Sequence, residues 1–176
     1  DLIDARRPVD VPGVVHRKGG RIQSAQPRVP SPLELLPAPD RSVFPLARYS
    51  YAMRAEATPY AMVTTSRGCH RHCPYCPVPT LRPRGFDARS AEAVVAQWRE
   101  LVQDGMASLH IEDDSFLADT GRVRAICRLL KQAPLGAVWE LVNGIRPDQV
   151  SPALLQEMAQ AGCVRIVFSF EHISSG

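Results

Sequence analysis

The chain has no run of about 18 or more apolar residues, so no segment is expected to span a bilayer as a helix. Its opening, Asp1-Leu2-Ile3-Asp4-Ala5-Arg6-Arg7, lacks the apolar core and cleavage site of a secretory signal. An initiator Met is missing too, and no internal repeat or low-complexity tract is present. The formal net charge is only +3, and the arginines are dispersed rather than gathered into one basic run. Charge therefore gives no argument for nucleic-acid binding. Five cysteines without an export signal point to a reducing, cytoplasmic setting and to ligand chemistry rather than disulfides. The length of 176 residues suits one domain plus an extension, and a hydrophobic share of 45% is ordinary for a globular chain.

Three of the cysteines crowd one stretch, Cys69-His70-Arg71-His72-Cys73-Pro74-Tyr75-Cys76, spaced C-x-x-x-C-x-x-C. Thiolates held this close repel one another unless positive charge sits among them, and a metal ion or an iron–sulfur cluster supplies it. Three thiolates can hold three irons of a four-iron cluster and leave the fourth iron open to a chelating amine and carboxylate. A zinc module is one competing reading, since His70 and His72 add donors for a Cys3His set. Structural zinc, however, usually joins ligand pairs from separate elements. A non-catalytic partial barrel that binds a partner is the other alternative. Cys127 lies in an apolar helical pattern and Cys163 follows Gly162, so both are read as small buried side chains.

Half of the sixteen prolines fall before residue 59, which reads as an extended lead-in over residues 1–58. Within it, residues 14–22 form a candidate hairpin turning at Gly19-Gly20. His16-x-x-Gly19 resembles part of a cobalamin-binding D-x-H-x-x-G motif, but Val14 stands where the Asp belongs, and the hairpin reading wins. From residue 59 strands and helices alternate. Tyr60 to Thr65 is the first strand. Ser90 caps a helix with Val94, Val95, Trp98, Leu101 and Val102 on one face, closed by Gly105. Ala107 to Ile111 is the second strand, and a helix capped by Asp119 or Thr120 buries Val123, Ile126, Cys127 and Leu130. Trp139 to Val142 is the third strand. Ser151-Pro152 opens a helix with Leu154, Leu155 and Met158 inward, and Val164 to Phe170 is the fourth strand.

This alternation predicts an α/β fold with a parallel sheet, over residues 59–176. Polar residues gather just after the strands, where such folds carry their sites. Because the chain stops just after the fourth strand, further strands are expected in a longer parent protein.

The stretch Thr64-Thr65-Ser66-Arg67-Gly68-Cys69-x-x-x-Cys73-x-Tyr75-Cys76 resembles the signature of the radical S-adenosylmethionine (radical SAM) superfamily, including the aromatic before the third cysteine. Arg89-Ser90, Asp113-Asp114-Ser115-Phe116, Arg146-Pro147-Asp148, Ala161-Gly162-Cys163 and Phe168-Ser169-Phe170-Glu171 extend the likeness. Together they resemble the subgroup that carries a cobalamin-binding domain ahead of the radical domain. The resemblance implies the first four β/α units of a partial TIM-like (β/α)6 barrel. It implies Cys69, Cys73 and Cys76 as ligands of a 4Fe-4S cluster, with S-adenosylmethionine (SAM) on the open iron. It also implies reductive cleavage of SAM to a 5′-deoxyadenosyl radical, with flavodoxin or ferredoxin as reductant and a small molecule or peptide as substrate. Cobalamin would enter through a domain not in this chain. Tyr75 belongs to the signature; Asp113 or Asp114 would accept from the SAM amino group, Glu171 would contact ribose or substrate, and Arg146 would pair with a carboxylate. Relatives often show Gly where Ser169 stands and Ser where His172 stands. Methylation, another radical rearrangement and methylthiolation are the outcomes the resemblance leaves open.

Overall fold

The structure, a computed structural model, describes residues 11–49, 59–81 and 85–170. Two compact units result, Asp1–Ser31 and Pro32–Gly176. In the first, β1 (Val15–Lys18) and β2 (Arg21–Ser24) pair antiparallel from Val15↔Ser24 to Lys18↔Arg21. Gly19 and Gly20 both take positive φ, 58° and 78°, as the twist-matched two-residue hairpin turn requires. Seven of the eight strand residues are exposed, so turn chemistry rather than burial sets this hairpin.

In the second unit the order along the chain is β3 (Tyr60–Val63), β4 (Ser66–Arg67), α1 (Val78–Leu81), β5 (Asp87–Ala88), α2 (Ala91–Gln103), β6 (Ser108–Ile111), α3 (Thr120–Gln132), β7 (Val138–Ile145), α4 (Pro152–Gln160) and β8 (Cys163–Phe168). The main sheet is parallel, in the order β3-β6-β7-β8. The α/β fold thus follows the sequence reading. β7 runs to Ile145, longer than expected, and Leu155 is only half-buried.

Helices α2, α3 and α4 each start where a side-chain oxygen meets a free backbone N–H. Ser90 accepts from Ala93 N–H at 3.2 Å, Asp119 from Arg122 N–H at 2.9 Å, and Ser151 from Leu154 N–H at 3.2 Å. Val94, Val95, Trp98 and Leu101 of α2 join Val123, Ile126, Cys127 and Leu130 of α3 and Leu154 and Met158 of α4 in one core. Ala61, Val63, Leu109, Ile111, Trp139 and Leu141 supply the sheet side of that core, at the period of two that places alternate residues on one face. Trp139 lies 5.6 Å from Trp98 and 5.8 Å from Phe116, ring centre to ring centre, and its Nε1–H donates to Ala161 O at 2.9 Å.

The alternate strand positions carry polar groups. His110 faces Glu140 across β6 and β7, and Glu140 faces Arg165 across β7 and β8. Tyr60 stacks on His110 at 4.4 Å, and Arg165 Nε donates to the buried Glu140 carboxylate at 2.6 Å. Arg165, an exception in an otherwise apolar strand, therefore has its counter-ion inside the sheet.

Proline-rich chain after Pro32 braces the start of α2. Leu33 N–H donates to Asp87 Oδ2 at 2.8 Å, and Glu34 accepts from Ser90 N–H at 3.0 Å and Ser90 Oγ at 2.7 Å. Among the described residues no helix is long and apolar enough to cross a membrane. Ile126→Ala, which opens a cavity at a fully buried position of α3, is expected to lower unfolding free energy by about 2–5 kcal/mol in urea titrations. Ile22→Ala on the exposed hairpin should stay within about 0.5 kcal/mol of the parent.

Candidate functional site

The four residues that lead into Cys69 are fastened one by one. Thr65 donates its N–H to Asp113 Oδ1 at 2.6 Å and its hydroxyl to Asp113 Oδ2 at 2.5 Å. The Ser66 hydroxyl donates to Asp113 Oδ2 at 2.6 Å. Arg67 pairs with Asp87 at 2.9 Å, across the short antiparallel pairing of β4 with β5. Gly68 N–H donates to Asp114 Oδ2 at 2.7 Å. Gly68 holds φ at +84°, and a Cβ there would collide with the carbonyl oxygen of Gly85. Ser66 and Arg67 are thus a short strand held on both sides.

Arg122 reaches in from the first turn of α3. Its Nη1 donates to Thr65 Oγ1 at 3.2 Å, and to the carbonyl oxygens of Thr65 and Arg89, both at 3.4 Å. Its Nη2 lies 3.7 Å from Asp113 Oδ2, and the guanidinium stands 5.4 Å over the Phe116 ring. Burial pulls this guanidinium below its usual range, and the Asp113 charge opposes that shift.

Beyond Gly68 the loop opens. Cys69, Cys73 and Cys76 are half-buried free thiols. Cys76 N–H closes a turn onto Cys73 O at 3.0 Å, and Arg71 N–H points to Cys69 Sγ at 3.4 Å. His70 packs on Phe86 at 5.4 Å, while Arg71, His72 and Tyr75 are exposed. A cleft of about 440 Å³ runs from Cys69, His70 and Arg71 to Ser115, Thr120, Asp148 and Gln149. A single zinc ion would need sulfurs roughly 3.8 Å apart, given Zn–S bonds of about 2.3 Å in a tetrahedron. Among the described residues no three His, Cys, Asp or Glu side chains converge on a single-ion site. Three half-buried thiols on one loop, the first of them lining the cleft, are a donor set of the kind that holds an iron–sulfur cluster.

The expected residues fare differently. Asp113 is 2% exposed and spends both oxygens on Thr65 and Ser66. Asp114 is exposed and gives one oxygen to Gly68. Arg146 makes its two-pronged contact within the protein, to Asp148 at 3.0 and 2.9 Å. Arg71 of the cysteine loop shares that carboxylate at 3.4 Å. The Asp148 hydrogen bond raises the Arg146 pKa, and negative charge on Cys73 and Tyr75 adds to it. Glu171 and His172 lie outside the described residues. Ser169 is accommodated because Gly144 has no Cβ where the Ser169 hydroxyl sits. Sequence reasoning missed Arg122, Asp87 and Asp148; no periodicity links them to the cysteines, although Asp148 lay inside a stretch already singled out.

Burial pushes the Cys127 thiol up to about 11 and the Cys163 thiol up to about 12. Both stay protonated at neutral pH and make poor ligands.

A parallel α/β sheet with a three-thiol loop and paired carboxylates at its carboxyl rim is the class of architecture the chain presents. Residues 63–175 match the radical SAM superfamily, and the chain belongs to that superfamily. It is 24% identical to an uncharacterised methyltransferase of Pyrococcus horikoshii over 99% of this chain. It is 27% identical to the cytidylyl-2-hydroxyethylphosphonate methyltransferase of Streptomyces wedmorensis over 79% of this chain. The ribosomal protein uS12 methylthiotransferase RimO of Kineococcus radiotolerans is 32% identical over 69% of this chain. The chain spans 38%, 27% and 26% of these relatives' own lengths. In fold it matches the radical SAM methyltransferase TsrM of Kitasatospora setae, solved with cobalamin and a 4Fe-4S cluster. The TM-score is 0.60 and the identity 18%, over 65% of this chain and 23% of that one.

Alkylation of the metal-free native protein at pH 8 should modify Cys69, Cys73 and Cys76 and spare Cys127 and Cys163 until denaturant is added, read by peptide mass spectrometry. Gly68→Ala should cost at least about 2 kcal/mol, from positive φ plus the collision with Gly85, measured by the same urea titration.

Proposed function

We propose that this chain is the cluster- and SAM-binding part of a radical SAM enzyme that serves cobalamin-dependent methylation. The observation that carries the reading is the three-thiol loop at the rim of the parallel sheet, opening on a cleft, inside the segment that matches the superfamily. Cys69, Cys73 and Cys76 would hold the 4Fe-4S cluster. When bound and reduced, the cluster supplies the electron that breaks a sulfonium C–S bond of SAM, giving methionine and a 5′-deoxyadenosyl radical. The chain's own residues bind, orient and balance charge. Asp114, the exposed member of the aspartate pair, accepts from the SAM amino group. Arg146 sets positive charge near Cys73 and offsets the thiolate charge, with Asp148 fixing its direction. Tyr75 flanks the third ligand. Glu171 contacts ribose or substrate. Leu117 and Ala118 line the cleft and limit water around the reacting bond.

Methylation is favoured because two of the relatives are named methyltransferases and the matched fold is a cobalamin-bound one. Cobalamin would come from a part of the protein outside this chain, and the electron from a flavodoxin or ferredoxin. Anaerobic incubation of the protein with SAM and reductant should release 5′-deoxyadenosine, and S-adenosylhomocysteine should accompany methyl transfer. Replacing Cys69, Cys73 and Cys76 by Ala should remove the iron and both products. Iron and products that survive the triple replacement, or stoichiometric zinc in place of iron, would overturn the reading.

A further inference from the structure

The four residues before the cysteine loop are held by side chains from three other segments. The centre of that hold is Asp113. Its side chain has no exposed surface, and removing a carboxylate from water is costly unless hydrogen bonds and an opposite charge compensate it. Here a backbone N–H, two hydroxyls and the Arg122 guanidinium compensate it. A methyl-bearing side chain would leave those donors and the Arg122 charge buried without an acceptor. What a carboxylate adds is direction: three donors from two consecutive residues must point at one group, which fixes the rotation of Thr65 and Ser66 and the angle at which the chain leaves β3.

We infer that Asp113 is a positioning residue for the cluster ligands. It acts through Thr65 and Ser66 and is backed by Arg122, and it sets where Cys69 stands instead of touching SAM. Gly68 N–H on Asp114 carries the same hold two residues closer to Cys69. This rests on the cluster reading of the loop. Outer groups that orient ligands typically change metal affinity by about 10–100-fold when removed.

The test compares Asp113→Asn with Ile126→Ala, a core variant far from the loop in sequence, in the protein loaded anaerobically with iron and sulfide. Both should melt lower than the parent. At 25 °C, Asp113→Asn should release iron to a ferrous chelator at least about tenfold faster than the parent, and Ile126→Ala within about twofold. Hydrogen exchange of the metal-free protein gives a second readout. The Thr65 amide should lose at least about tenfold protection in Asp113→Asn and keep it in Ile126→Ala. Parent-like iron release by Asp113→Asn, equally fast release by Ile126→Ala, or an unchanged Thr65 amide would each overturn the assignment. A parent protein that takes up no iron at all would instead sink the cluster reading, and this assignment with it.

Discussion

A buried carboxylate is the constraint on which the site depends. Asp113 lies just past the end of β6 and turns inward to Thr65 and Ser66, two and three residues beyond the neighbouring β3. Parallel strands bring their carboxyl ends to the same rim, so the exit of one strand can govern the exit of the next. That arrangement needs no contact between Asp113 and the thiols. The strand pairing places Thr65, Thr65 leads to Gly68 through three peptide bonds, and Gly68 delivers Cys69. The Nε of Arg122, which makes no hydrogen bond, shows the same priority. The guanidinium is placed for charge opposite Asp113 and for three bonds from Nη1, and leaves Nε unmet.

The rest of the second unit can be seen as support for that rim. Three capped helices cover one sheet face and fix the strands beneath it. Caps and core act together at Asp119: its side chain starts α3, and α3 then presents Arg122 one turn later, where it can reach the end of β3. A substitution that shifted the start of α3 would also move the counter-charge of Asp113. The proline-rich segment has a comparable place, since Glu34 and Leu33 bond to Ser90 and Asp87, and Asp87 pairs with Arg67.

Much of this was legible in the residues alone. The strand–helix alternation, the N-caps at Ser90 and Ser151, the Gly19-Gly20 turn and the buried stripe of α3 follow from local chemistry and period. The three cysteines announce themselves by spacing. Asp113 was singled out too, but for a ligand rather than for Thr65, because a sequence shows that an acidic pair follows a strand without showing which member turns inward. Arg122 was out of reach for the same reason: it lies 57 positions from Thr65, and an arginine in a first helical turn usually reads as solvated. The polar row of His110, Glu140 and Arg165 was hidden within strands whose apolar neighbours dominated the pattern.

Two adjacent aspartates have different surroundings because consecutive residues leaving a strand point to opposite sides. Asp113 goes inward, where low polarity makes each of its bonds directional and costly to break. Asp114 goes outward, keeps one bond to Gly68 and remains accessible. Neither could take the other's place: an exposed Asp113 would lose the protection that makes it a rigid anchor, and a buried Asp114 would have no access to a ligand. The pair joins a fixed part of the site to an adaptable one across a single peptide bond. An adaptable contact at Asp114 is useful only while Thr65 and Ser66 stay where Asp113 holds them, which is why the inward residue takes more of the hydrogen bonds than the outward one.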